Sequence, residues 1–381
     1  MARKIRLLIN GITFDDANLV PLTQKIRYWK KKGAIVSLIG TDYLVQRIGT
    51  GYIDRLINIG GKPLSGGKFS FIGYSLTRNI LALTHWREIA KVDTVYSISS
   101  VLDLVILPFL LKKTGKVKYW VTVLDNTVPL ISEGKIIAGN FLVRLLAWVF
   151  FQISIYMLRS ADTIFVVKNE LKTYLIDRKF KASRIVVTGN GVEKEFILKA
   201  KKRVKYRYDG LFVGRINEAK GVYDLLKVLK IVKRIYPNFK LALMGKGDDD
   251  IEKKYKAKIK ELRLEKSVNL LGFKTGQEKY DIIKSCKIFI FLSHTESVPV
   301  APMEAVCSGK ITLVYDLDAY NMYKNNEIIK FKQGDFVSVA NKIIEVFKKR
   351  NFINEPGKLL LKKYDWTSIS RKEYSHLSTK Q

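Results

Sequence analysis

The chain has 381 residues, enough for two or three domains at ~100–200 residues each. A composition of 47% hydrophobic and 27% charged residues excludes a disordered chain, a collagen-like repeat and a small disulfide scaffold. The 68 Lys and Arg against 35 Asp and Glu give a net charge of +33, divided as +16 over residues 1–200 and +17 over 201–381, so the positive charge is spread rather than gathered in a tail.

Two cysteines, Cys286 and Cys307, are too few for a stapled secreted framework or for a zinc site needing about four ligands, and they point to a reducing compartment. Near the N-terminus, Arg3, Lys4 and Arg6 flank only three apolar residues, Leu7, Leu8 and Ile9. That run is shorter than the ~7–15 residues of a signal peptide's apolar region and reads as a first strand.

In chain order, short apolar and β-branched runs predict strands at 5–10, 34–40, 94–99, 117–125, 163–167 and 184–188. Helices are predicted at 20–32, stopped by Gly33, and from Asn169 towards Arg178. Residues 141–158 form the most apolar segment, at the lower edge of membrane-span length and with Arg144 near one end. Its length favours a buried or half-buried helix of a globular domain; a helix lying in a bilayer interface is the other reading. Strands apolar nearly throughout and alternating with helices imply a parallel sheet covered on both faces, a doubly wound α/β domain.

The pattern restarts after the basic stretch 199–207, with strands predicted at 210–213, 240–244, 268–271, 288–292 and 311–315. Val222, Leu225, Leu226, Leu229 and Val232 give the helix after the first of these a single buried face. The expected organisation is a first domain over 1–188, a linker region over 189–207, a second domain over 208–362, and a C-terminal helix within 363–381 docking back towards the first domain. Ligands of open parallel sheets bind beyond the carboxyl ends of the strands, so two such domains facing one another would leave a cleft for chemistry.

Three loops in those positions carry it. Gly214-Arg215-Ile216-Asn217-Glu218-Ala219-Lys220-Gly221 joins a strand to an amphipathic helix; its glycines admit a ligand close to the backbone, and Arg215 and Lys220 supply two cations suited to a diphosphate. Gly245-Lys246-Gly247 follows the next strand and leads into Asp248, Asp249 and Asp250. Those acids are what a helix N-terminus favours, and nothing nearby completes a metal ligand set. After the strand 288–292, Glu296 lies in a loop and Glu304 in a short helix otherwise built of Ala, Met, Val and Cys, where a carboxylate needs a partner.

Together, Gly-Arg-x4-Lys-Gly, Gly-x-Gly, and Glu296 and Glu304 running into Ser308-Gly309 resemble the donor half of the retaining glycosyltransferases of family 4, with the GT-B fold of two Rossmann-like domains. Asn190-Gly191-Val192, followed by Glu193 where the family commonly has Asp, and Ala161-Asp162-Thr163 extend the resemblance, which covers about residues 160–376. It implies a nucleotide-sugar donor bound by Gly214, Arg215, Lys220, Gly245, Glu296, backbone N–H groups around Val298, Pro299 and Val300, and Glu304 on the ribose. Glu296, Arg215 and Lys220 would be the catalytic set: Arg215 and Lys220 on the diphosphate, Glu296 on the transferred sugar, with no bound metal and no cofactor beyond the nucleotide-sugar co-substrate.

The first domain departs from the pattern. No histidine follows the strand 117–123; Asp125 stands there, and with Gly11 it is the expected acceptor-side contact. The loop 11–15 is glycine-poor, Val314-Tyr315-Asp316 lacks a glycine pair, and Lys310 replaces a common proline. His294 lies beside Glu296, but a lone histidine is more often structural than catalytic.

The expected function is a retaining glycosyltransferase acting on a lipid-linked or glycan acceptor at the inner face of the cell membrane, cytoplasmic and held peripherally on an anionic bilayer. A nucleic-acid-binding protein is disfavoured by the evenly split charge and the lack of a recognised motif, so no nucleic-acid partner is expected. A catalytically inactive GT-B scaffold is the remaining alternative.

Overall fold

The computed structural model describes residues 4–12, 19–60, 68–89, 92–128 and 141–378. The chain divides into two compact units: Met1–Gly191 with Trp366–Gln381, and Val192–Asp365.

Unit 1 contains strands β1 (Arg6–Asn10), β2 (Ile35–Gly40), β3 (Arg55–Asn58), β4 (Thr94–Ser97), β5 (Tyr119–Leu124), β6 (Thr163–Val166) and β7 (Ile185–Val187) in one parallel sheet of order β3-β2-β1-β4-β5-β6-β7. Helices α1 (Leu19–Lys31), α2 (Asp42–Ile48), α3 (Lys68–Thr84), α4 (Leu102–Lys113), α5 (Phe141–Leu158) and α6 (Asn169–Asp177) connect them. Leu7, Leu8 and Ile9 of β1 are fully buried, as a central strand covered on both faces requires. The edge strand β3 carries no continuous apolar run, since of its four residues only Ile57 is buried. Helix α5 is half-buried: Phe151, Ile155 and Leu158 face the core, while Phe141 and Tyr156 are exposed. Among the described residues no helix is long and apolar enough to cross a membrane.

Unit 2 contains α7 (Lys194–Lys199), β8 (Gly210–Val213), α8 (Val222–Ile235), β9 (Leu241–Met244), α9 (Asp249–Glu261), β10 (Val268–Gly272), α10 (Gly276–Ser285), β11 (Ile288–Phe291), α11 (Val300–Cys307), β12 (Ile311–Tyr315), β13 (Ile329–Phe331), α12 (Phe336–Lys349) and α13 (Glu355–Leu359). Its sheet is again parallel, ordered β10-β9-β8-β11-β12-β13. The buried face of α8 is Val222, Leu225, Leu226, Leu229 and Val232, all at most 2% exposed. The chain passes between units at Gly191–Val192. The stretch 189–207, expected as a linker, is largely folded into unit 2. Asp281 of α10 accepts hydrogen bonds from the Lys201 backbone N–H and from Arg203 Nε, both at 2.9 Å, and so ties it down.

Helix α14 (Trp366–Tyr374) belongs to unit 1 and packs on α1. Lys25 Nζ lies 2.8 Å from Glu373 Oε1, both side chains being at least nine-tenths buried, and Tyr96 Oη lies within hydrogen-bond reach of each. Trp29 Nε1 donates to the Ser370 carbonyl.

Candidate active site

In unit 2 the strands run outward from β8 through β9 to β10 on one side and from β11 through β12 to β13 on the other. The order reverses between β8 and β11, and the crevice beyond their carboxyl ends is where ligands of such sheets bind. The loop after β8 holds 214–221 and the loop after β11 holds 293–299, so the topology alone brings the two motifs together. Backbone bonds lace the loops: His294 N donates to Ala219 O at 2.9 Å, and Ile216 N to Lys246 O at 3.1 Å. Two glycines make this crossing possible. Gly221, at φ 70°, and Gly245, at φ 151°, pass so close to neighbouring backbone that a Cβ would sit 1.8 Å from Leu292 O and Gly214 O respectively.

Lys220 Nζ lies 2.5 Å from Glu296 Oε1. Asn217 fixes the backbone before it, its side chain accepting from Lys220 N at 3.0 Å. The Glu296 side chain is only 8% exposed, and a buried carboxylate is tolerable because it is paired. Arg215 is exposed and makes no ion pair among the described residues, leaving its guanidinium available to an anion. Lys220 and Glu296 are thus brought into contact, with Arg215 on the same loop and the backbones of Gly214 and Gly245 packed against one another.

Glu304 sits on α11 at 4% exposure. Its Oε1 accepts from Tyr280 Oη at 2.7 Å and from Lys279 Nζ at 2.6 Å. Lys279 also lies 2.6 Å from Oε2, but among the described residues no hydrogen bond of good geometry reaches that buried oxygen. Burial, then the nearby Glu304 charge, pushes the Tyr280 hydroxyl far above its ordinary range, so it stays a donor, and the same two causes raise the Cys307 thiol to about 12. The expected N–H cluster is narrower than the sequence suggests. Pro299 has no N–H and that of Val300 is spent on Val298 O at 3.0 Å, which leaves Val298. Asp248, Asp249 and Asp250 are exposed at the start of α9.

In unit 1, Gly11 closes β1, its N–H donating to Ile39 O at 2.9 Å; it is buried against Leu44 and Leu38. Residues 13–15 of that loop lie outside the described residues. Asp125 follows β5, half-buried, with its carboxyl raised to about 6 chiefly by burial, Lys25 opposing and Glu373 adding to the rise.

Sequence reasoning missed Lys279, Tyr280 and Asp224. Asp224 of α8 lies 3.2 Å from His294 Nε2 and accepts from Tyr315 Oη at 2.9 Å, while His294 Nδ1 is 2.7 Å from Gln333 Nε2. His294 is therefore a strut holding its loop to α8. The one available signal was that a carboxylate on an apolar helix demands a partner; which lysine supplies it is set by tertiary structure.

Comparisons with known proteins bear on the fold and on the second unit. Residues 193–358 match the family model of glycosyl transferases group 1. An uncharacterized glycosyltransferase of Haemophilus influenzae is 26% identical over 238 residues, 62% of each chain. The GDP-mannose:cellobiosyl-diphosphopolyprenol alpha-mannosyltransferase of Xanthomonas campestris is 27% identical over 138 residues, 36% of each chain. The chain thus spans between about a third and three-fifths of the length of these curated relatives. Among solved structures, Anabaena HepE in complex with UDP superposes with a TM-score of 0.73 at 14% identity, covering 98% of this chain and 99% of that one. The chain accordingly has the GT-B fold of two Rossmann-like domains, and its second unit is similar to the glycosyl transferases of group 1.

Proposed function

We propose that this protein is a retaining glycosyltransferase of the family 4 kind, moving a sugar from a nucleotide-sugar to a lipid-linked or glycan acceptor at the cytoplasmic membrane face, without a metal ion. The observation that carries the reading is the Lys220–Glu296 pair at the β8/β11 reversal, with Arg215, on the same loop, making no ion pair among the described residues.

In this reading Arg215 and Lys220 take the donor diphosphate and neutralise the charge that grows on it as the glycosidic bond breaks, work otherwise done by a divalent cation. Lys220 moves from Glu296 to phosphate, and the released Glu296 carboxylate accepts hydroxyls of the transferred sugar. Glu304 Oε2, which is close to the Lys279 ammonium but accepts no well-aligned hydrogen bond among the described residues, accepts from the ribose. The Val298 N–H adds to the phosphate contacts.

On the acceptor side, unit 1 holds an apolar cavity of about 520 Å³, lined in part by Leu76, Val101, Ile106, Phe150 and Asp125. Its walls suit a lipid chain, and Asp125 suits the hydroxyl that receives the sugar. The UDP and the polyprenol diphosphate substrate in the names of the compared proteins support a nucleotide-linked donor and a lipid-linked acceptor.

The test is donor turnover, read as release of nucleoside diphosphate from a panel of UDP-, GDP- and ADP-sugars. Lys220→Ala and Glu296→Ala are each expected to lower turnover by about 10²-fold or more with the circular dichroism spectrum unchanged. Turnover equal to the unmodified protein in both variants overturns the assignment.

A further inference from the structure

At the opposite end of the unit 2 sheet from the donor loops, a cavity of about 790 Å³ opens beside the amino ends of β8, β11 and β12. Seven Lys and Arg side chains line it against one acid, Asp209. That acid is already committed: it pairs with Lys287 at 2.7 Å and accepts from Lys240 N at 2.9 Å. Arg203 and Lys358 pair with Asp281 and Glu355. Lys202, Arg207 and Lys284 have no acidic partner among the described residues.

Lys310 forms part of the wall. It is 7% exposed, and Nζ donates to the carbonyl oxygens of Lys284 and Cys286. An ammonium carries three protons, so one has no protein acceptor among the described residues. Burial lowers its pKa, and the charges of Lys284 and Lys202 add to the fall. A buried cation held only by carbonyls and crowded by like charges is costly, and an anion in the cavity relieves both costs at once. The cavity has room for a phosphate ester, and Arg207 with the lysines offers the donors that phosphate oxygens take. Val204, 73% exposed, and Ile353, 55% exposed, also line it, so its mouth presents apolar side chains beside the cations.

We propose that this basic cavity at the amino edge of the unit 2 sheet is a second anion site, separate from the donor loops, that takes a phosphate ester, either soluble or as the headgroup phosphate of an anionic lipid. Nothing in it depends on the glycosyltransferase reading.

The test compares the full-length protein with two triple variants of equal charge change. Lys202→Ala/Arg207→Ala/Lys284→Ala strips the cavity, and Lys253→Ala/Lys254→Ala/Lys256→Ala strips an exposed face of α9. One arm measures glycerol 1-phosphate binding by calorimetry; the other measures sedimentation with vesicles of phosphatidylglycerol and phosphatidylcholine against phosphatidylcholine alone. The cavity variant is expected to lose affinity at least about tenfold in one or both arms, with the α9 variant near the unmodified protein. Loss confined to vesicles assigns the lipid headgroup; loss with glycerol 1-phosphate assigns a soluble ester. Lys310→Met, close in volume, is expected to fold and to reproduce part of the loss. Equal losses in both triple variants, or none in either arm, overturn the proposal. Nucleotide binding at the donor loops is expected to be the same in all variants, so the two sites are tested separately.

Discussion

Asp125 shows how one side chain reports on its surroundings. Its carboxyl is held at about 6 against an ordinary 3.8, so the folded protein binds this proton more tightly than the unfolded chain. The resulting stabilisation is fully present below pH 4 and is lost as pH rises through 6. Asp125→Asn removes the titration. Relative to the unmodified protein, the variant is expected to gain on the order of 3 kcal/mol between pH 4 and pH 7, with a constant difference above that. Urea melts of both proteins across pH 4–8 check it; parallel profiles contradict it. At this scale the placement of Arg215, Lys220 and Glu296 on strand-end loops was legible in the sequence, because glycines and a flanking strand announce each loop. Lys279 and Tyr280 were not, because they reach Glu304 from 24 and 25 residues away through tertiary packing.

Among the elements, the central strands of both sheets were legible because a strand covered on two faces is apolar nearly throughout, as in Leu7–Ile9 of β1 and Ile288–Phe291. The edge strands β3 and β13 were not, since each buries little and β13 is half-exposed along its length. Helix α14 could be placed as a helix from Trp366 and Ile369, but its buried anchor, Glu373 on Lys25, is invisible in a sequence where lysine is everywhere. Breaking this pair by Glu373→Ala leaves Lys25 buried without its partner, at an expected cost of about 3–5 kcal/mol. Replacing both residues with apolar ones, Lys25→Met with Glu373→Leu, is expected to restore most of that stability. Thermal unfolding of the three proteins decides it. A melting temperature of Glu373→Ala equal to that of the unmodified protein shows that the pair does not hold α14 in place.

For the whole molecule, the alternation of strand and helix predicted two doubly wound domains, and two parallel sheets are present. Strand order, which decides where a ligand can sit, is not written in that alternation; it emerges only when β8 is seen next to β11. The reversal there brings two motifs some 76 residues apart into contact. The even spread of +33 gives no direction by itself, yet around the amino edge of the unit 2 sheet it becomes a cavity with seven cations and one acid.

Thermal unfolding of the unmodified protein and of Lys220→Ala with UDP, GDP, ADP and their sugar conjugates, each with and without EDTA, tests directly whether a nucleoside diphosphate binds at the β8/β11 reversal. A ligand at ~100 times its dissociation constant stabilises by roughly 2.7 kcal/mol. The expected result is a raised melting temperature with one nucleotide family, indifferent to EDTA and diminished in Lys220→Ala. No shift with any nucleotide, or an equal shift in the variant, contradicts a diphosphate site at the β8/β11 reversal.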